Sequence, residues 1–581
     1  MKIIALLFPL LSYLLALPSF CVAPDEISDH HAKVFLTRAT FGPTPESIQQ
    51  LKQLGYEGWV DQQLAMPISQ SIVNRTMQIA MQAEPTTDWF ASGSFTPPRS
   101  SPYWVYFNSA WWEQALTAPD QLRQRVAYAL SEIFVVSYSA TPYLRNRADA
   151  MAAWADLLQS HSTGNFRELM SAVSYSPAMG VFLTYNGNRK YNPAKGSAPD
   201  ENYARELMQL FTLGLYQTDL SGRQKQNKDG QPIPTYTQDD VMNLARVFTG
   251  WDIQGNRYFG QRPQNGGYLM APMEFTEKFH DNDEKTILGS TIPAGLDGKD
   301  DVEAALDILF AQTEVAPFIS KLLIQRLTTS NPTPQYIERV ASVFQNNGQG
   351  TRGDLVAVIK AILLDDDAIA SISSPTPTFG KVKEPVIMLS QFLRAMDVTP
   401  SPEFMTKHGG IMQGVYWVRN LRIGQDPFQA SSVFNFFDDD FSPADLPDDM
   451  LSPELQVLDS SALVGFSNLL QFTLSQRETV NLNAMSEKRR EEIERRRESS
   501  RISLELNISE ELSVLKEQGP EHVFKLLEGS LLARPASENT RRVVIDALEE
   551  GAGAKRNAVA RARLADAIRL LATSPDYWVQ Q

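Results

Sequence analysis

The sequence predicts a mainly α-helical fold, a large multi-helix globular domain with a minor β-hairpin or small sheet. Along much of the chain apolar residues recur at i, i+3 and i+4, which is the spacing of amphipathic helices. Stretches that alternate apolar and polar residues, as strands do, are few. The chain has 581 residues, which is enough to build one large multi-layered core or several smaller ones.

The first residues predict a secretory signal peptide over residues 1–23. Lys2 precedes an apolar run from Ile3 to Leu17, and Pro18-Ser19 follows it. Such signals have a charged, an apolar and a small-residue region in this order. The run is too short for a comfortable membrane span, and a buried N-terminal helix is the alternative. We expect the signal to be cleaved and the protein to be periplasmic, or secreted to the cell envelope or medium.

The composition restricts the classes of function. Cys21 is the only cysteine, so cleavage after Ala23 would leave no disulfide, no cysteine nucleophile and no cysteine-ligated metal. The Cys-x-x-Cys-His motif that attaches c-type haem is absent. The net charge of −15 argues against general nucleic-acid binding, which needs a basic surface. Charges interrupt every later apolar stretch, so we predict no transmembrane segment.

The helices follow from capping residues and from apolar periodicity. Thr44-Pro45 predicts a helix start, and Gly55 is a plausible end of that helix. Thr237 with Asp240 resembles a capping box and predicts a helix that Gly250 closes. The apolar spacing predicts further helices at Asp120–Tyr138, Arg147–Ser160, Asp200–Leu213, Val302–Ala311, Pro317–Thr328, Pro334–Phe344 and Asp354–Leu364.

The clearest strand pattern is that of a hairpin. Glu274–His280 and Thr286–Ile292 are predicted to pair, with Asp281–Lys285 as the turn. A charged helical insertion is expected at about residues 484–520. Its dense Glu/Arg run, Ser486–Arg501, has i, i+4 pairs that suit a solvated helix. The alternative for this run is a basic arm for an acidic partner.

An aromatic cluster precedes the predicted helix Asp120–Tyr138. Its members could stack on sugars or on a partner if they were exposed. Because aromatic residues at this density are more often buried, we predict that they belong to the core: Trp89, Trp104, Tyr106, Trp111 and Trp112.

The densest polar cluster lies at the start of a predicted helix. Asn202, Arg205 and Glu206 share one face there, at i, i+3 and i+4, behind a suitable N-cap in Asp200. Such a helix start could bind a ligand or a cation. The alternative is a buried polar network in which Arg205 pairs with Glu201 or Glu206.

A second candidate lies where the first strand of the predicted hairpin ends. A histidine beside a carboxylate, as in His280-Asp281, can bind a divalent metal or perform acid–base work. The alternative is that Asp281 caps its own turn and His280 donates to the backbone. Because charged residues are rarely buried without partners, we expect the candidates to form one polar cluster: Asn188, Asn202, Arg205, Glu206, His280 and Asp281.

Standard catalytic signatures are absent from the sequence. It contains no Gly-x-Ser-x-Gly, no His-Glu-x-x-His and no phosphate-binding Gly-x-x-x-x-Gly-Lys-[Ser/Thr]. None of its six histidines forms a ligand pair at helical spacing. The cofactor is therefore left open, and a divalent cation is the candidate that the acidic and histidine side chains suggest.

Many short motifs occur in order along the chain, among them Ala39–Thr44, Gln121–Val126, Glu201–Met208, Phe279–Asp281, Ser330–Pro332, Ser432–Phe437 and Pro453-Glu454. In these motifs the chain resembles the domain of unknown function 1800 family, from about residue 29 to residue 577. The resemblance implies a single helical domain over that range. It also implies a bacterial, exported protein, often found beside a sulfatase-like protein of the domain of unknown function 1501 family. It implies no established activity, cofactor or catalytic residue.

Two functional hypotheses follow. The first is a non-catalytic extracytoplasmic partner or maturation protein, acting on a sulfatase-like exported protein encoded nearby or on a surface polymer. Its motivation is the absence of catalytic signatures together with the resemblance. The second is a metal-assisted hydrolase-like enzyme that uses the region of Glu206 and His280.

Overall fold

The computed structural model describes residues 27–83, 104–256, 258–260, 268–400, 423–447, 450–474, 504–505, 508–552 and 556–580. The expected signal peptide, Trp89 and the Glu/Arg run Ser486–Arg501 lie outside the described residues. Within these ranges the fold is mainly α-helical with small pieces of β structure. The predicted fold class is therefore confirmed.

Helices occupy most of the first half of the described chain. They are α1 (Asp29–Ala39), α2 (Pro45–Ala65), α3 (Ile72–Ala83), α4 (Trp104–Thr117), α5 (Gln121–Ile133), α6 (Pro142–Arg145), α7 (Ala148–His161), α8 (Phe166–Tyr175), α9 (Pro177–Phe182), α10 (Asn202–Gln209) and α11 (Gln238–Val247).

The second half continues in the same way. Its helices are α12 (Gly298–Phe310), α13 (Val315–Leu327), α14 (Pro334–Gln345), α15 (Leu355–Leu364), α16 (Asp366–Ser373), α17 (Pro385–Ala395), α18 (Ser460–Leu474), α19 (Ser509–Glu517), α20 (Pro520–Leu531), α21 (Glu538–Ala552), α22 (Asn557–Ala572) and α23 (Pro575–Trp578). Short 3₁₀ turns lie at Glu277–Phe279 and Pro453–Gln456.

Local signals placed the helix starts well. Thr44 accepts a hydrogen bond from the Ser47 N–H, and Thr237 does the same for the Asp240 N–H, so these two predicted caps are formed. The third predicted cap, Asp200, is wrong, because Glu201 holds the N-cap position of α10. Gly55, at φ 72°, interrupts α2 with a kink, and the helix resumes beyond it. Glycine suits this position because L side chains rarely adopt positive φ.

Two helices are shorter than the apolar pattern predicts. Helix α5 ends at Ile133, because the following apolar residues leave it to pack elsewhere: the Tyr138 N–H donates to the Phe428 carbonyl at 3.2 Å. Helix α10 ends at Gln209, since Leu213 N–H reaches the Met208 carbonyl at 2.8 Å in a wider turn.

The predicted hairpin is wrong. Strand β1 (Trp251–Asp252) pairs antiparallel with β2 (Glu274–Phe275), while β3 (Lys285–Ile287) pairs antiparallel with β4 (Ser290–Ile292). The predicted second strand therefore folds back on itself, because Leu288 and Gly289 both have positive φ, at 49° and 76°, as a two-residue hairpin turn of type I′ requires.

Two further short pairs join residues that are distant in sequence. Strand β5 (Lys381–Val382) pairs with β8 (Val579–Gln580), and β6 (Thr399–Pro400) pairs with β7 (Leu504–Glu505), both antiparallel. The β5–β8 pair attaches the end of the described chain to the segment that leads into α17.

The core is continuous through the described residues. Buried apolar side chains from Ile27 to Tyr577 belong to one cluster. Trp104, Tyr106, Trp111 and Trp112, all on α4, are buried in it, which confirms the predicted core role of these four aromatics. None of the helices in the described ranges combines the length and apolarity that crossing a membrane requires.

Candidate functional site

Asn188 connects its own turn to the segment before α10. Its Oδ1 accepts the backbone N–H of Arg189 at 3.1 Å and that of Asp200 at 2.9 Å. Its Nδ2 donates to the Asp200 carbonyl at 3.2 Å, and its own carbonyl accepts the Gly250 N–H at 2.9 Å. The Asn188 side chain therefore holds the backbone in place.

Helix α10 presents the other residues of the first candidate cluster. The Asp200 carboxylate accepts the Asn202 N–H at 2.9 Å, while the Asn202 side chain is exposed. Arg205 pairs with Glu201 at 3.1 Å and donates to the Gln238 carbonyl oxygen at the same distance, so one of the two predicted partners of Arg205 is found.

Glu206 differs from its neighbours on α10. It is 6% exposed, and its Oε2 is buried without a hydrogen-bond partner. Burial raises the pKa of its carboxyl group, and Arg205 opposes this effect. Glu206 is therefore the member of the predicted cluster that holds a proton more readily than a solvated glutamate does.

His280 lies in a closed network. It is 0% exposed, and its Nδ1 faces the Thr249 carbonyl at 2.8 Å. Its Nε2 faces Asp301 Oδ2 at 3.0 Å, and the Lys285 ammonium reaches the same oxygen at 2.6 Å. Both ring nitrogens are engaged by buried partners, which leaves neither of them directed at solvent.

Asp281 binds a different cation. Arg246, at the end of α11, donates to both of its oxygens, each at 2.9 Å. Burial alone would raise the pKa of Asp281, but the paired hydrogen bonds and the charge of Arg246 hold it below its usual value. This pair fixes α11 to the segment that follows β2.

Among the six predicted residues, Arg205 and Asp281 contact opposite ends of α11. Gln238 begins this helix beside Arg205, and Arg246 lies near its other end beside Asp281. These two positions are eight residues apart, which is about 12 Å along a helix axis. No hydrogen bond joins Glu206 to His280 in the described part of the chain.

Metal ligation was one expectation for these residues. Among the residues that the structure describes, no group of three or more His, Cys, Asp or Glu side chains has the arrangement of a metal site.

A second cluster of ionisable side chains lies in the core. Its centre is a pair of carboxyl groups, Glu132 near the end of α5 and Glu384 just before α17, which are 4% and 0% exposed. The Glu384 Oε2 accepts hydrogen bonds from the Tyr128 hydroxyl at 3.1 Å and from Gln425 Nε2 at 2.7 Å. Neither oxygen of Glu132 receives a donor from another residue of the described chain.

The surroundings of the two carboxyl groups move their pKa values in opposite directions. Burial, and then the nearby charge of Glu384, raise the pKa of Glu132 well above its usual range. Burial also acts to raise the pKa of Glu384, but the charges of Lys381 and Arg125 and the hydrogen bond from Gln425 lower it. Neighbouring like charges in a buried site disfavour ionisation of both groups, and these directions favour a proton on Glu132 and a charge on Glu384.

Cations surround this pair. The Nε of Arg326 lies 3.6 Å from Glu132 Oε2, and its guanidinium pairs with Asp439. Lys381 pairs with Glu454 at 3.0 Å, and the Ser330 hydroxyl donates to Glu454 at 3.2 Å. The backbone carbonyl of Arg326 in turn accepts hydrogen bonds from both Arg125 and Lys381, at 2.6 and 3.1 Å.

Several segments on which the family resemblance rests meet in this cluster. Arg125 comes from Gln121–Val126, Ser330 from Ser330–Pro332, and Glu454 from Pro453-Glu454. A fourth, Ser432–Phe437, contributes the Phe437 ring, with the Arg326 guanidinium 4.9 Å from its centre. The cluster therefore joins parts of the chain that are more than a hundred residues apart.

Sequence analysis missed Glu132 and Glu384. A signal for Glu132 exists, because it is the single charged residue in the otherwise apolar and hydroxyl-bearing run Val126–Tyr138. Glu384 follows two lysines and precedes a proline at the first position of a helix. Neither pattern indicates which residue the glutamate contacts, and the two glutamates are 252 positions apart in the sequence.

The fold and these clusters define a mainly α-helical protein whose helices are fixed to one another by buried ion pairs. Within that class, the chain belongs to the family described as "Protein of unknown function (DUF1800)", whose family model matches residues 34–579. No curated protein and no solved structure matches the chain.

Removing the charge of Asp301 tests the buried network of His280, Lys285 and Asp301. Asp301→Asn would leave the buried Lys285 ammonium without its counter-ion, and we expect the free energy of unfolding to fall by about 3–5 kcal/mol. The matched control is Asp300→Asn, an exposed neighbour on the same helix. Denaturant unfolding of both variants measures the difference, and equal losses would contradict the assignment.

The pH dependence of stability tests the raised pKa of Glu132. Because the pKa of Glu132 is raised in the folded protein, the folded state holds this proton more tightly than the unfolded chain does. Its contribution to stability is present at low pH and is lost as pH rises through the raised pKa. Glu132→Gln removes this loss, so the Tm of the variant relative to wild type should increase between about pH 5 and about pH 8.

The exposed Glu338, replaced in the same way, is the control. Its variant should keep a constant Tm difference over this interval. A Tm difference for Glu132→Gln that is also constant with pH would show that Glu132 is ionised in the folded protein.

Proposed function

We propose that this protein is exported and acts outside the cytoplasm as a non-catalytic binding protein. Its partner is a sulfatase-like exported protein of the domain of unknown function 1501 family, which it escorts or matures, or a surface polymer. The export part of the proposal is supported by the signal-like order of Lys2, the apolar run Ile3–Leu17 and Pro18-Ser19.

One observation carries the binding part of the proposal. A histidine and two carboxyl groups of the described chain are enclosed: His280, Glu132 and Glu384 are buried, and the hydrogen bonds of His280 and Glu384 are to other buried groups. General acid–base catalysis requires such groups within hydrogen-bond reach of a substrate. Groups that are closed in this way stabilise a rigid framework, which is what a binding surface needs.

Export and partnership are tested in the native host. The protein, tagged at its C-terminus, should appear in the periplasm or envelope, shortened by roughly the length of its signal. The sulfatase-like protein encoded nearby should co-purify with it from that fraction. A charge in the apolar run, Leu11→Arg, should abolish both results.

Full-length wild-type protein confined to the cytosol would contradict export. Exported protein that recovers neither the sulfatase-like protein nor envelope polymer would contradict the binding role.

A hydrolase-like activity is the second candidate, and Glu206 is the observation that favours it. This carboxyl group is buried with one oxygen unpartnered, and its pKa is raised, as in a general acid. If this role is correct, wild type should hydrolyse a chromogenic sulfate, phosphate or acetyl ester, and Glu206→Gln should abolish the activity with little change in Tm. Glu201→Gln, an exchange on the same helix start, is the control. Absence of hydrolysis by wild type would contradict this candidate.

A further inference from the structure

Two loops of this acidic protein are rich in basic residues. The sequence from 183 to 199 has three basic residues and no acidic one, and the sequence from 253 to 273 has two basic residues and no acidic one. Over the whole chain, 68 acidic residues outnumber 53 lysines and arginines. The residues of the second loop that the structure does not describe, 257 and 261–267, therefore include no acidic side chain.

The structure brings the two loops together at a pair of glycines. Gly187 and Gly260 both have positive φ, at 75° and 73°, and a Cβ atom on Gly187 would lie 2.2 Å from the Gly260 Cα. Backbone hydrogen bonds hold the first loop on either side of this contact. The Gly187 N–H donates to the Trp251 carbonyl at 2.7 Å, and the Lys190 N–H donates to the Phe279 carbonyl at 2.9 Å. The approach of the loops is therefore fixed by their backbones.

An arginine and two aromatic rings lie at this contact. The rings of Phe259 and Phe279 are stacked, with their centres 4.2 Å apart. The Arg189 guanidinium carbon is 4.3 Å from the centre of the Phe279 ring and 5.3 Å from that of Phe259, and Nη2 donates to the Phe259 carbonyl at 2.6 Å. These contacts orient the exposed guanidinium. Its Nε and Nη1 make no hydrogen bond within the described residues.

Other exposed side chains surround this stack. The Lys278 ammonium lies 5.6 Å from the centre of the Phe279 ring, and Tyr191 is 57% exposed. The stack and these neighbours make up what we call the Arg189 surface: Arg189, Lys190, Tyr191, Phe259, Lys278 and Phe279. Its three cations form no ion pair with any residue that the structure describes. The surface therefore combines unpaired cations with an exposed aromatic ring.

Acidic side chains next to the Arg189 surface do not pair with its cations. Asp252 is buried, and its carboxylate accepts the Gly260 N–H at 2.7 Å. The Asp200 carboxylate accepts a hydroxyl and a backbone N–H, at 3.0 and 2.9 Å. Glu274 and Glu277 are exposed, and in the described part of the chain no ion pair joins either of them to the three cations. These cations can therefore bind a negatively charged ligand.

The side chains of the surface select the class of ligand. A guanidinium with free N–H groups and two ammonium groups suit carboxylate or sulfate groups. An exposed tyrosine ring suits the flat apolar face of a sugar. A polymer of sugars that carry acidic groups offers both contacts in one molecule. Nucleic acid offers comparable contacts, but the proposed location outside the cytoplasm favours a polysaccharide.

From these observations we infer that the Arg189 surface binds an anionic polysaccharide. The inference rests on the proposed binding role and names the surface polymer as one whose sugars carry carboxylate or sulfate groups. Arg189, Lys190 and Lys278 bind its acidic groups, and Tyr191 packs against a sugar ring.

Calorimetric titration of the mature chain tests the inference. The anionic probes are a galacturonic acid hexamer, which carries carboxylates, and a heparin hexasaccharide, which also carries sulfates. The comparators are neutral maltohexaose and a thymidine oligonucleotide. We expect at least one anionic saccharide to bind more tightly than either comparator. Its affinity should fall as NaCl is raised from about 50 to about 200 mM, because salt competes for the charged groups.

A matched pair of charge reversals locates the surface. Lys190→Glu combined with Lys278→Glu should weaken binding of the anionic saccharide by about tenfold or more, which corresponds to about 1.4 kcal/mol. Lys228→Glu combined with Lys299→Glu changes the net charge by the same amount at exposed positions outside the surface, and it should leave the affinity nearly unchanged. Tm measurements verify that both double variants fold.

A matched pair of tyrosine variants tests the contact with the sugar ring. Tyr191→Ala should weaken binding of the same probe, because the exposed ring is lost. Tyr216→Ala, at another tyrosine that is 40% exposed, should not weaken it.

The inference is overturned if no anionic saccharide binds folded wild type, if either comparator binds more tightly, or if the two members of either matched pair bind equally well. Its failure is distinct from failure of the proposed function. A protein that is exported and recovers its sulfatase-like partner, yet binds no anionic saccharide, refutes only the ligand class.

Discussion

The burial of the carboxyl pair Glu132 and Glu384 is the constraint on which the central helices depend. This pair joins α5 to the start of α17, and the cations that balance it, Arg326 and Lys381, attach α13 and β5 to the same point. Removing one member of such a buried set leaves an uncompensated charge, which destabilises a protein more than the loss of one hydrogen bond does. The relative positions of these helices are therefore tightly specified.

The network of Lys285, Asp301 and His280 follows the same principle in another part of the molecule. In both clusters the charged side chains hold helices and strands together, and their burial separates them from solvent. Polar side chains of the segment 423–436 and Asp459 line a cavity of about 490 Å³ beside the Glu132–Glu384 cluster. Binding residues are often placed in this way, because loops vary while the scaffold holds them in position. Gln425 connects this cavity to the buried cluster, since it donates a hydrogen bond to Glu384 and also lines the cavity.

The sequence was informative where structure is decided by neighbouring residues. The caps at Thr44 and Thr237 and the burial of Trp104, Trp111 and Trp112 follow from side chains within a turn or two of each other. The hairpin prediction failed because strand pattern alone does not choose a partner. Glu274–Phe275 pairs with Trp251–Asp252, and the turn at Leu288-Gly289 closes the other strands on themselves.

For the candidate site, the sequence by itself determined which residues have useful chemistry, and only the tertiary structure decided their partners. Arg205 pairs with Glu201 one turn away, as helix periodicity predicts. His280 binds Asp301, and Glu132 meets Glu384, only because the chain folds back on itself. The physical reason is range: periodicity and capping act over three or four residues, whereas the protonation and partner of a buried charge depend on every group that packing brings against it.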